Sequence, residues 1–270
     1  MHHIIAPDHP VFDSAAYRRD ALLLEVLDAI IRPNAFLLLS DGEQFVIARN
    51  RLDLSAWVWT HDDLSPQALE RLCGLLHTHF AGRQVHITAK EQAAQMIAQW
   101  FERRGFTRQA GMGLIGYRLD AVLMPQDRGP VRLARMDELD ELAALHRDFQ
   151  MACFNEVREP DSQGIMRQRI EKGSLRVLEQ EGEIAAFVAA APLKPGQHTR
   201  VGMVYTRPQM QGRGYAKWLT AQVCQDELTR CPFAILYADA DNPRSNAAYQ
   251  RIGFRPLGVA REIRLSLAER

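Results

Sequence analysis

The chain has no excess charge of either sign, no cysteine pairs and no long apolar run, and each absence removes a class of function. Its 33 Lys and Arg balance 33 Asp and Glu, with no block of like charge. A nucleic-acid or anionic-membrane binder normally carries a basic surface that attracts its partner from a distance. Neither partner is expected here. The longest strongly apolar stretches, such as "AFLLL", fall far short of a bilayer span, and the opening "MHHIIAPDHPVFDS" has no basic region followed by an apolar core. A cytoplasmic protein is the expectation. The four cysteines, Cys73, Cys153, Cys224 and Cys231, form no CxxC pair, and the nearest two stand seven residues apart. Neither a zinc site nor a disulfide framework is indicated. His77 and His79, two apart in a predicted helix, point to different faces, so no metal is expected.

What is present is the material of a core: 47% of the 270 residues are hydrophobic, enough for one large domain or two smaller ones. A break falls at "LMPQDRGPVRL", where Pro125, Gly129 and Pro130 interrupt the pattern. It separates an expected domain over 1–124 from one over 130–270. In the second, "VRLARM" reads as a strand, Asp137 as a cap for the helix "ELDELAALHRDFQ", and "QGIMRQRIEK" as another helix. Three strands follow, "SLRVLEQ", "IAAFVAAAP" and "TRVGMVYT", and Gly202 inside the last suggests a bulge. A helix from about Gly212 to Thr229, the apolar strand "FAILYAD", a short helix in "NPRSNAAYQRIGF" opened by Asn242 and Pro243, and a terminal strand complete the order. The first half reads nearly the same way, from a helix "RDALLLEVLDAII" through three strands to "QWFERRGF". Laying Gly105 and Phe106 on Gly253 and Phe254 sets an offset of 148 residues and places "WFERRGF" on "AYQRIGF". The chain reads as an internal duplication.

The stretch "QMQGRGYAKWL" (209–219) bares its backbone where a helix begins. Helix starts leave amide N–H groups without intrahelical partners and carry partial positive charge, so Gly212 and Gly214 there let an anion approach several amides at once. Some thirty residues on, Asn246 and Tyr249 share a face of the next helix and can meet one extended ligand. Asn242 and Ser245 are also good capping and turn residues.

With these residues in view, "VYTRPQMQGRGYAKWL" followed by "LYADADNPRSNAAYQRIGF" resembles the GNAT superfamily of acyl-CoA-dependent N-acetyltransferases, whose Q/R-x-x-G-x-G/A loop is matched by Gln211, Gly214 and Ala216. The resemblance covers about Pro130 to Leu267. It implies an α/β fold with a mixed, mostly antiparallel sheet flanked by helices, with acetyl-CoA as acyl donor. Gln211 and the amides of Gly212, Arg213, Gly214, Tyr215 and Ala216 would serve the pyrophosphate. Thr206 and Val204 would lie along the pantetheine arm, with the Val204 N–H near the thioester carbonyl. Asn242, Ser245 and Asn246 would touch the arm from the other side, and Tyr249 would be the general acid. No acid lies on "TRVGMVYT", so Asp239, Glu156 and a water chain are the candidates for the base. The acceptor implied is a primary amine of a small molecule or amino acid, with a protein or peptide amine, or a non-catalytic acyl-CoA sensor, as alternatives. Monomer and homodimer both remain open. The first half resembles a copy without the chemistry: the loop falls on "DLSPQA" (63–68), which has no glycine and follows Asp62, Phe101 stands for Tyr249, and Ala94 and Ala98 stand for Asn242 and Asn246.

Overall fold

The computed structural model describes residues 3–4, 6–51, 54–80, 84–192 and 197–267. The chain forms two compact units: Met1–Gly116 with Ala238–Pro243 and Pro256–Arg270, and Tyr117–Tyr237 with Arg244–Arg255. Segments Ala238–Pro243 and Pro256–Arg270, from the second half of the sequence, group with the first unit. The outer ends of the expected domains, 1–2 and 268–270, lie outside the described residues.

The elements run β1 (His3–Ile4), α1 (Ala15–Asp20), α2 (Glu25–Asn34), β2 (Leu37–Ser40), β3 (Phe45–Arg49), β4 (Ala56–Thr60), α3 (Pro66–His79), β5 (Gln84–Lys90), α4 (Glu91–Glu102) and β6 (Phe106–Leu119). They continue with β7 (Val131–Leu133), α5 (Leu139–Phe154), α6 (Ser162–Glu171), β8 (Leu175–Gln180), β9 (Glu183–Pro192), β10 (Thr199–Thr206), α7 (Tyr215–Glu227), β11 (Ala234–Asp239), α8 (Pro243–Ile252) and β12 (Arg255–Leu267). From α1 to β6 and again from α5 to β12 the order is two helices, three strands, helix, strand, helix, strand. The similar element order and short motif that suggested a duplication correspond to an order shared by nine elements.

In the first unit the sheet order is β1-β2-β3-β4-β5-β12-β6. Period-two alternation divides its central strands between two cores. Phe45, Ile47, Ala56 and Val58 join Leu72, Leu76, Ile97 and Phe101 on the α3 and α4 side. Val46, Ala48, Trp57 and Trp59 join Tyr17, Leu24, Leu27 and Ile31 on the α1 and α2 side. Both faces are therefore covered, which explains why β3 and β4 are buried at every position. The single helix expected over "RDALLLEVLDAII" is instead two, α1 and α2, separated at residues 21–24. Leu23 and Leu24 there are buried in the core, so packing overrides helical propensity. The sixth place in this order belongs to β12, which pairs antiparallel with β5 from Ala260↔Lys90 to Ser266↔Gln84 and buries Ile263 and Leu265 in the α3 and α4 core.

The second unit orders its strands β11-β10-β9-β8-β7. Leu142, Leu145 and Met166 of α5 and α6 pack on Val177, Phe187, Ala189 and Tyr205, while α7 buries Leu219, Val223 and Cys224. Glu181 and Gly182 turn β8 into β9 with φ of 52° and 82°. One expectation fails. Asp137 does not cap α5; its carboxylate meets Arg135 Nε at 3.4 Å, whereas Glu138 reaches back to accept from the Arg135 N–H at 2.8 Å. Glu138 is also bound by Arg132 at 2.6 Å, so an ion pair fixes the carboxylate that closes the 3-10 turn leading into α5, whose own start has no side-chain cap bond.

Candidate active site

The site in the second unit starts with a strand that leaves its neighbour. β10 runs parallel to β11 over Thr199↔Ala234, Arg200↔Ile235 and Val201↔Leu236, and the pairing ends there among the described residues. Against β9, the register passes from Gly202↔Ala189 to Tyr205↔Phe187, three residues against two. This is the bulge suggested by Gly202. Its kinked residue is Met203, with φ 52°, and Val204 lies inside it. A bulge of this kind bends its strand and ends its pairing, which separates β10 from β11 over the stretch where Val204 and Thr206 were expected to meet a ligand. The Thr206 hydroxyl oxygen is buried without a hydrogen-bond partner. Such an orphan is unusual in a finished interior.

Beyond β10 the chain is braced before it turns. Arg207 donates from Nε to the Ile184 carbonyl at 2.6 Å and pairs with Glu141 of α5. Gln211, expected to face the cofactor, instead donates its Nε2 to the Thr206 carbonyl at 3.2 Å and closes the loop. Gly212 and Gly214 adopt φ of 81° and 83°, values that L side chains rarely take. Gly214 is the N-cap of α7 and makes no side-chain cap bond. The Trp218 N–H reaches the Gly214 carbonyl at 3.0 Å as the first helical bond from this cap, so the amides of Tyr215, Ala216 and Lys217 lie ahead of the helical ladder. A Cβ placed on Gly212 would meet nothing within 4 Å. The backbone at this turn is therefore open to an approaching anion, with helix-start amides beside it.

Three cations border this turn: Arg213, Lys217 and Arg128. None is ion-paired among the described residues. Arg128 comes from the linker, and its Nε stands 3.6 Å from where a Gly214 Cβ would be. Nothing in the sequence brought Arg128 to the turn, because the proximity depends on how the linker folds back.

On α8, the Tyr249 ring lies 6.2 Å from that of Tyr117 and 6.0 Å from that of Phe254. Its hydroxyl has no hydrogen-bond partner among the described residues. Burial pushes the phenol above its ordinary range, with Cys153, Cys224 and Tyr117 acting in the same direction, so it holds its proton. Asn246 is buried, and its Oδ1 accepts from the Tyr117 hydroxyl at 3.2 Å, an anchor for α8 that sequence reading did not find. Ser245 is half-buried one residue earlier. Asn242 and Asp239 lie in Ala238–Pro243, the segment grouped with the first unit. There Asp239 shapes the turn after β11: its Oδ1 accepts from the Asp241 N–H at 3.0 Å and its carbonyl from the Asn242 N–H at 3.1 Å. Glu156, the other candidate base, is exposed and held by Arg158 at 2.9 Å.

The corresponding turn in the first unit is closed. Ser65 caps α3 by accepting from the Ala68 N–H at 3.2 Å, and Pro66 has no N–H to offer. Asp62 is held by Lys90 at 2.6 Å and by Arg19. Phe101, Ala94 and Ala98 are fully buried in the core.

A bulged strand, an uncapped helix start edged with unpaired cations and a protonated phenol lie together in one α/β unit. Residues 139–254 match the model of the acetyltransferase (GNAT) family. Solved structures share the fold over nearly the whole chain. A GNAT-family acetyltransferase from Colwellia psychrerythraea has TM-score 0.61 and 11% identity over 99% of both chains. A GCN5-related N-acetyltransferase from Sphaerobacter thermophilus has TM-score 0.66 and 14% identity over 98% of this chain and 95% of the other. A tandem GNAT protein from the clavulanic acid biosynthesis pathway has TM-score 0.55 and 11% identity over 100% and 99%. No curated protein sequence matches the chain.

Proposed function

We propose that the second unit transfers an acetyl group from acetyl-CoA to a primary amine of a small molecule or amino acid, by direct attack with both substrates bound. The observation that carries this reading is the start of α7, where two left-handed glycines, a missing cap and unpaired amides form a cradle suited to a pyrophosphate. The orphaned Thr206 hydroxyl, on the strand that leaves β11, gives a pantetheine arm a polar contact beside it.

Acetyl-CoA supplies an activated thioester. The chain's part is to hold it and to manage one charge and one proton. The Val204 N–H, in the bulge, is the donor for charge developing on the carbonyl oxygen, an interaction worth about 3 kcal/mol in comparable sites. Tyr249, kept protonated by burial, gives its proton to the departing sulfur. Much of the remaining gain is positioning. Removal of the acceptor proton is assigned to neither Asp239 nor Glu156, since a turn amide and Arg158 respectively occupy their carboxylates. An α-amino group with pKa about 7.8 has a sizeable neutral fraction near neutrality and can attack without prior deprotonation by the protein, losing its proton to solvent as the amide forms, whereas a lysine-like amine of pKa about 10.4 must first be deprotonated.

A calorimetric titration with acetyl-CoA, followed by a thiol-release assay over a panel of amines, tests the reading. One site per chain and amine-dependent thiol release are expected. Binding without release from any amine would leave an acyl-CoA sensor, and absence of binding would overturn the proposal.

A further inference from the structure

The linker that separates the two halves in sequence, "QDRGP" (126–130), is stitched onto the turn before α7. The Asp127 carboxylate accepts from the Gly129 N–H at 2.7 Å, which folds the segment tightly. Gln180, at the end of β8, donates its Nε2 to the Arg128 carbonyl at 2.9 Å. Trp218, on the first turn of α7, donates its indole N–H to the Gly129 carbonyl at 2.8 Å. The main chain is therefore held on both sides of Arg128, by a strand end and by the helix whose start forms the cradle. With its backbone fixed, the guanidinium is delivered beside Gly214, Nε 3.6 Å from the position of a Cβ there. Its single side-chain hydrogen bond goes to the neutral Gln126 amide oxygen at 2.9 Å, and no carboxylate pairs with it among the described residues. Four of the five N–H donors of this guanidinium remain for a ligand.

We infer that Arg128 is a cofactor-binding residue that engages the pyrophosphate of the acyl donor beside the α7 amides, with Trp218 and Gln180 as the groups that position it. The inference rests on the acetyl-CoA reading above. A planar fork suits two adjacent phosphate oxygens better than an ammonium does. It also makes the junction between the halves part of the donor site, although it lies outside residues 139–254 that match the family.

The test compares wild type with Arg128→Gln, Arg128→Lys and Trp218→Phe. Dissociation constants are measured for acetyl-CoA and acetyl-dephospho-CoA, and KM for S-acetylpantetheine, which has no pyrophosphate. Arg128→Gln is expected to weaken acetyl-CoA binding about tenfold and to flatten its salt dependence, with Arg128→Lys recovering part of the loss. The penalty persists with acetyl-dephospho-CoA and is absent with S-acetylpantetheine. Trp218→Phe keeps the ring and loses the tether; it weakens acetyl-CoA binding in wild type and adds nothing in the Arg128→Gln background. The ligand-free melting temperature of Arg128→Gln stays at the wild-type value, because the side chain is exposed. Affinity within a factor of about two of wild type overturns the inference while leaving acetyl-CoA as substrate. A penalty that vanishes with acetyl-dephospho-CoA overturns the pyrophosphate assignment in favour of the 3′-phosphate. A wild-type protein that binds no acetyl-CoA overturns both this inference and the function it rests on.

Discussion

Helices α3 and α7 stand at the same place in the repeated order, each after the third strand of its half, and they begin in opposite ways. At α3, Ser65 is extended, with φ −69° and ψ 152°, and its hydroxyl takes the Ala68 N–H; Gln44 holds the Ser65 N–H at 2.9 Å, and Pro66 removes another donor. At α7, Gly214 is left-handed, offers no capping oxygen, and leaves the next amides to whatever comes. The first start satisfies itself within the chain. The second leaves donors without partners and adds unpaired Arg128, Arg213 and Lys217 at their edge. The charges follow the same division: Asp62, the residue before "DLSPQA", is neutralised by Lys90 and Arg19 within its own unit. A helix start can stabilise the fold with a cap or bind an anion, and the same amide cannot serve both.

Gly214→Asp is the largest way to break the comparison. It gives α7 a capping carboxylate, turns it toward the α3 arrangement, and places a negative charge where a pyrophosphate would sit, beside an Arg128 that it would capture. Two unit charges about 4 Å apart near a protein surface interact by roughly 4 kcal/mol, so acetyl-CoA affinity should fall about a thousandfold. Calorimetry checks this. Affinity within about threefold of wild type would mean that the turn does not hold the pyrophosphate.

The second contrast is Tyr249 against Phe101. Phe101 is fully buried among Trp100 and Phe106, an aromatic with only a packing role. Tyr249 carries a hydroxyl with no partner among the described residues. Tyr249→Phe makes the two alike and should lower kcat about a hundredfold, the lower part of the range for a positioned general acid, while acetyl-CoA affinity stays within twofold. Equal turnover in steady-state assays would remove Tyr249 from the proton transfer.

Much of this contrast was legible in the sequence, because it depends on residue types at local spacings. "GRG" before an amphipathic run, "SPQA" before another, and Tyr249 against Phe101 at one offset are all visible in single segments. The element order was legible for the same reason. The sequence did not show what depends on distant segments meeting. β12 takes a place beside β5 because its apolar residues fill the α3 and α4 core, and no periodicity reveals which sheet a strand will join. Arg128 looked like punctuation in a linker, and only the bonds from Trp218 and Gln180 carry it to the turn. Gln211 and Asn246 matched expected ligand positions, yet bonds to the Thr206 carbonyl and the Tyr117 hydroxyl engage them within the protein.

Ser65→Ala is the smallest test and the one that sharpens the contrast most. If α3 has given its helix start to stability, removing the hydroxyl should cost about 1 kcal/mol, the usual value of a Ser cap, seen as a lower denaturation midpoint at unchanged m-value. It should create no second site for acetyl-CoA, because Pro66 still lacks an N–H, Ser65 has no left-handed glycine beside it, and Asp62 and Asp63 still stand before the helix. Gly214→Ala gives the complementary outcome. Its φ of 83° is strained for any Cβ, and the open cradle narrows, so acetyl-CoA affinity should drop more than stability does. A Ser65→Ala protein that loses no stability, or one whose titration rises from one site to two, would show that the first half is not closed by its own cap.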